Sequence, residues 1–140
     1  CALPISFEAV AAEALRRLEG RQFIAHNARF DYGFLKTEFK RLGIDFRASV
    51  VCTVKLSRAL YPEHHRHNLD SLIERHGLIA ADRHRALADA EMAASLMLHL
   101  ADELRRRYQV REVSHALLCK LQSVPKAKLE QCLERHFATQ

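Results

Sequence analysis

An α/β fold built on parallel strands is the class the sequence predicts, and three observations predict it. Up to Pro62, short apolar runs alternate with amphipathic stretches in the order helix, strand, helix, strand, helix. Both strand candidates are unbroken apolar runs, the pattern of strands covered on both faces. The composition of the 140-residue chain, 49% hydrophobic and 28% charged with only 4 glycines and 3 prolines, suits one packed domain and excludes disorder as its main state.

Each element has a local cause. Ser6 is placed to cap a helix whose apolar positions Phe7, Val10, Ala11, Ala14, Leu15 and Leu18 recur at helical spacing and stop before Gly20. Gln22–His26 is too short for a helix and suits a buried strand. A second helix carries Phe30, Phe34, Leu35, Phe39 and Leu42, and Gly43 stands where a left-handed residue closes a helix. Ser49–Thr53 is the second strand candidate, followed by an amphipathic piece through Leu60 that Pro62 ends. Asn68 caps a short helix with Leu69, Leu72 and Ile73 inward and Gly77 at its close.

After the polar loop Ala81–His84, a long helix is expected from about Leu87 to Arg107, with Leu87, Ala90, Ala94, Met97, Leu98, Ala101 and Leu104 on its inner face. Tyr108–Gln140 reads as two further helices split at Ser123-Val124-Pro125, the second with Leu129, Leu133 and Phe137 in phase. The expected organisation is a partial α/β domain over 1–107 and a helical C-terminal extension over 108–140. Two strands are too few for an independent sheet, so further strands are expected upstream of Cys1, in keeping with the absence of an initiator Met; the chain is expected to be a fragment.

No apolar run approaches the roughly 18 residues of a membrane span. Cys1, Cys52, Cys119 and Cys132 fit no metal spacing and are expected as reduced thiols of a cytoplasmic protein. Lys plus Arg at 22 against Asp plus Glu at 17 gives a net charge of +5, with 9 histidines besides, which favours a polyanionic partner.

Two clusters carry candidate chemistry. His26-Asn27-Ala28-Arg29-Phe30-Asp31 lies at the carboxyl end of the first strand, where open α/β sheets place ligands. His84-Arg85-Ala86-Leu87-Ala88-Asp89 sets a loop histidine five positions before an aspartate at the start of the long helix. Taken singly, each has a plain structural explanation: Asx residues cap helices, and an acid in the first turn complements the dipole.

Together, in this order and about fifty residues apart, the two clusters resemble the second and third motifs of the DnaQ-like 3′-to-5′ exonucleases of the DEDD class, histidine subtype. The family includes the proofreading epsilon subunit of bacterial DNA polymerase III, and the likeness runs roughly from Ser6 to Arg107. It implies an RNase H-like fold whose carboxylates hold two divalent cations, Mg²⁺ or Mn²⁺, for phosphodiester hydrolysis from a 3′ end. It also implies roles: Asp31 and Asp89 as metal ligands, His84 as general base, and His26, Asn27 and Phe30 beside the terminal nucleotide. One departure stands out. The family's first motif, an Asp-x-Glu on the opening strand, is absent; the literal Asp89-Ala90-Glu91 cannot replace it, because helical positions i and i+2 diverge by about 200°.

The expectation is therefore a 3′-to-5′ exonuclease of DNA or RNA, serving replication or repair, with single-stranded or 3′-ended nucleic acid and a DNA polymerase subunit as partners. The chain by itself is expected to be inactive for want of half its metal site. One alternative is a non-catalytic nucleic-acid-binding or polymerase-associated module of the same fold; another is a helical protein in which both clusters are ordinary caps. A zinc reading of His64, His65 and His67 is weak, because neighbouring histidines rarely converge on one ion and no cysteine lies nearby.

Overall fold

A computed structural model describes residues 5–79, 85–125 and 128–139. The elements alternate through the first half and become wholly helical after it: α1 Phe7–Leu18, β1 Phe23–Ala25, α2 Ala28–Arg41, β2 Val50–Cys52, α3 Thr53–Leu60, α4 Leu69–Arg75, α5 Ala86–Tyr108, α6 His115–Leu121 and α7 Leu129–Ala138. β1 and β2 pair in parallel, with Phe23 opposite Val50 and Ala25 opposite Cys52. Each strand is shorter than the apolar run that announces it, since Thr53 already begins α3.

Two caps form where the sequence places them, Ser6 accepting from Ala9 N–H and Asn68 from Ser71 N–H, and Ser114, which accepts from Leu117 N–H, adds one that the sequence reading did not name; each relieves an unpaired donor at a helix start. Gly43 takes φ +75°, a left-handed geometry that a side chain would strain, just past the end of α2.

The larger core gathers Val51 of β2, Leu56 and Leu60 of α3, Leu72 of α4, Leu96, Leu100 and Leu104 of α5, Leu117 and Leu121 of α6, and Leu133 of α7. The helices beyond residue 108 thus share one core with β2 and α3. A smaller aromatic core holds α1 against α2 through Ala11, Phe39 and Phe46, with the Phe7 ring edge-on to Phe39 at 5.0 Å between centroids.

Gln122, at the end of α6, closes the outer edge of β2. Its Oε1 accepts from Cys52 N–H at 2.8 Å and its Nε2 donates to the Val50 carbonyl at 3.0 Å, so one side-chain amide does the work of a neighbouring strand. Among the described residues no strand pairs with the far edge of β1.

Two expected apolar faces need correction. On α5 the buried residues are Met92, Ala93, Leu96, Met97, Leu100, Ala101 and Leu104, while Leu87 and Leu98 are each 72% exposed and Ala90 and Ala94 face solvent. At 100° per residue Leu87, Ala94 and Leu98 lie opposite Leu96, so the expected stripe mixed two sides of a helix that is apolar on both. On α7 it is His136 that is buried beside Leu129 and Leu133, and Phe137 turns outward. Phe30 and Phe34 of α2, about 60% exposed, and Val10 of α1 are likewise outside the core. Among the described residues no helix is long and apolar enough to cross a membrane.

Candidate functional site

The chain leaves β1 through His26 and enters α2 through Asn27, whose left-handed backbone (φ 61°, ψ 48°) turns the strand into the helix. Asn27 occupies the N-cap position, yet its side chain makes no capping hydrogen bond. A simple cap therefore does not account for an Asn here, although Asn is among the residues that tolerate this conformation best. One turn on, Asp31 is exposed in the first turn of α2 and forms no ion pair among the described residues.

Asp89 stands in the first turn of α5, where its backbone N–H donates to the Arg85 carbonyl at 2.9 Å. α5 packs on β1, and beside that contact Ala86, Ala90 and Ala93 of the helix border an open cleft. Asp31, Asp89 and His26 consequently border one cleft of about 480 Å³, with Ile24, Ala25 and Leu69 among its walls. Each carboxylate sits at the positive end of a helix dipole, which favours the anion. The dipole explains each acid singly and does not explain why two helix starts 58 residues apart in sequence converge on one cavity.

His26 is held from the side. Its Nδ1 lies 2.8 Å from the Thr53 hydroxyl, which in turn donates to the Ala25 carbonyl at 3.4 Å. The hydroxyl and Nδ1 are within hydrogen-bond distance, and which of them donates follows the tautomer of the ring. Thr53, wholly buried at the β2–α3 junction, is a part of the site that the motifs did not announce. It is revealed by the hydrogen-bond contact with His26, one residue past the last register pair, Ala25 with Cys52.

Phe30 lies on the exposed side of α2 with the Arg29 guanidinium 4.8 Å from its ring centroid. An uncovered aromatic ring beside a guanidinium is a surface on which a base can stack. His84 lies outside the described residues. Among those described, no group of three or more His, Cys, Asp and Glu side chains could hold a metal; the cleft brings together two carboxylates and an imidazole. Hard carboxylate oxygens suit Mg²⁺ or Mn²⁺, so the donors present fit part of a divalent-cation site. Elsewhere, His67 is buried with both ring nitrogens engaged, Nδ1 2.9 Å from the Ser57 hydroxyl and Nε2 donating to the His64 carbonyl at 2.9 Å. That geometry gives it a structural task in the histidine-rich loop.

The family model RNase_T, described as exonuclease, matches residues 5–97. Among curated proteins, the chain is 39% identical over 101 residues to the 3′-5′ exonuclease DinG of Bacillus subtilis, covering 71% of this chain and 11% of that protein. It is 37% identical over 98 residues to the DNA polymerase III subunit epsilon of Haemophilus influenzae, covering 66% and 38% respectively. Against the PolC-type DNA polymerase III of Latilactobacillus sakei the identity is 40% over 90 residues, covering 64% and 6%. The chain thus spans well under half the length of each of these relatives.

Proposed function

The chain belongs to the RNase_T family of exonucleases, with their RNase H-like fold, and from that premise we propose that it contributes two of the carboxylates, half of the metal site, of a 3′-to-5′ exonuclease. The observation that carries the reading is the convergence of Asp31, Asp89 and His26 on one cleft at the carboxyl end of β1.

In this reading Asp31 and Asp89 hold divalent cations, Mg²⁺ or Mn²⁺. When bound, a pair of such ions neutralises charge on the phosphoryl oxygens, activates water and stabilises the leaving 3′ oxygen. His84, in the segment between α4 and α5, takes the proton from the attacking water, for which its ordinary pKa of about 6.5 is apt. His26, steadied by Thr53, positions the terminal nucleotide together with the uncapped Asn27 side chain, and Phe30 stacks on a base. The remaining carboxylates are assigned to an Asp-x-Glu on a strand that pairs with the open edge of β1, and without it the chain is inactive. Polymerase association is supported by relatives named as DNA polymerase III proteins, and a proofreading or repair role in the cytoplasm is part of the same proposal.

The deciding experiment uses the protein carrying that Asp-x-Glu strand, here called the intact protein, with Mg²⁺ and a single-stranded oligonucleotide labelled at its 5′ end. A ladder shortened one nucleotide at a time from the 3′ end is expected. Asp31→Asn and Asp89→Asn should each abolish it and weaken Mn²⁺ binding by calorimetry. Normal turnover in either variant overturns the site.

A further inference from the structure

Away from the carboxylate cleft, two grooves adjoin at the turn Val124–Pro125. The first, about 540 Å³, runs between α3 and the α6–α7 turn and is bordered by Lys55, Arg58, His64 and His65. The second, about 380 Å³, lies between α6 and α7 and is bordered by Lys120, Lys128 and Arg135. No carboxylate borders either groove among the described residues, and Lys55, Arg58, Lys120, Lys128 and Arg135 make no ion pair there. Arg16, Arg41, Arg47 and Arg106, by contrast, all pair with neighbouring acids. Cations without an ion pair among the described residues also stand elsewhere, but the groove bordered by Lys36 and Lys40 includes Asp45 and the one bordered by Arg66 and Arg75 includes Glu74, whereas the two grooves at Val124–Pro125 set cations together in one strip with no acid among them.

The strip is joined to the cleft by α3. Thr53, its first residue, holds His26, and Arg58 lies five residues further, about 7.5 Å along the axis. The α6–α7 turn is fixed to the same sheet by Gln122.

We propose that this strip, Lys55 and Arg58 through Lys120, Lys128 and Arg135, binds the phosphate backbone of a nucleic-acid strand beyond the nucleotides held at the cleft. Uncompensated cations in an open groove recognise repeated phosphates through counterion release, with no need for base contacts. The inference rests on the nucleic-acid reading of the cleft and gives a binding task to helices that carry no motif of their own.

The test measures binding in EDTA, where hydrolysis plays no part. Anisotropy of a labelled 20-nucleotide single strand and of a labelled trinucleotide is followed against salt for the intact protein and for Arg58→Glu/Lys120→Glu/Arg135→Glu. All three positions are exposed, so the variant should melt like the parent. The triple variant should bind the 20-mer at least about tenfold more weakly, with a salt slope smaller by about 2, since each lost single-strand contact removes about 0.7. Trinucleotide binding should be unchanged. Equal affinity and slope for the 20-mer, or an equal loss for the trinucleotide, overturns the strip. If the strip behaves as expected while Asp31→Asn and Asp89→Asn turn over normally, the strip stands and the assignment of the cleft fails.

Discussion

The imidazole of His26 and the hydroxyl of Thr53, 2.8 Å apart, tie the carboxyl end of one parallel strand to the first residue of the helix that follows the other. The contact fixes the orientation of the ring, and with it what His26 presents to a nucleotide. Thr53→Val keeps the shape and removes the hydroxyl. Its kcat/KM on a 3′-ended oligonucleotide should fall roughly three- to tenfold, the equivalent of about 1 kcal/mol for a neutral hydrogen bond, and Thr53→Ser should restore it. An unchanged kcat/KM in a normally folded Thr53→Val would separate the orientation of His26 from catalysis.

His84 is tested by the split between turnover and metal binding. As general base it should lose about 10²–10⁴ in kcat when changed to Ala in the intact protein, with Mn²⁺ affinity preserved because it is not a ligand. Normal turnover in His84→Ala alongside a dead Asp89→Ala would remove His84 from the catalytic machinery.

Gln122 makes the outer edge of β2 depend on a helix. Gln122→Leu should leave Cys52 N–H and the Val50 carbonyl without their partner, and an unsatisfied buried group costs about 1–3 kcal/mol. Urea unfolding should show a loss within that range with little change in m. A midpoint equal to the parent's would mean that water replaces the amide and that the edge is open.

Local chemistry made much of this legible in advance. Ser6, Asn68 and Gly43 do at helix ends what their residue types suggest, and the apolar runs before Asn27 and Thr53 pair as parallel strands. Asp31 and Asp89 share a cleft because both motifs stand at helix starts beside β1. What escaped is tertiary. The inner face of α5 could not be chosen by periodicity, because Leu87 and Leu98 on one side match Leu96 and Leu100 on the other, and only contact with α3 and α4 decides. Thr53 and Gln122 were invisible for a related reason: their roles depend on partners 27 and 70 residues away.

Acid should weaken the fold through His76. Its Nδ1 lies 3.0 Å from His99 Nε2, and its ring packs 4.9 Å from that of Tyr61. Burial depresses its pKa to about 4, helped by the nearby charges of His99, Arg75 and His64 and opposed by Glu103. In the unfolded chain the same imidazole titrates near 6.5. Between these values the unfolded state binds a proton that the native state refuses, so stability is complete above about pH 6.5 and falls as pH drops toward 4. The slope for one such proton is about 1.4 kcal/mol per pH unit. His67, also depressed, adds to the loss in the same direction. His76→Gln keeps hydrogen-bonding capacity without a titrating ring, and its unfolding free energy, measured by urea from pH 4 to 7.5, should fall less steeply below pH 6.5 than the parent's. Identical pH profiles for the two proteins would show that His76 takes up its proton in the folded state as readily as in the unfolded one.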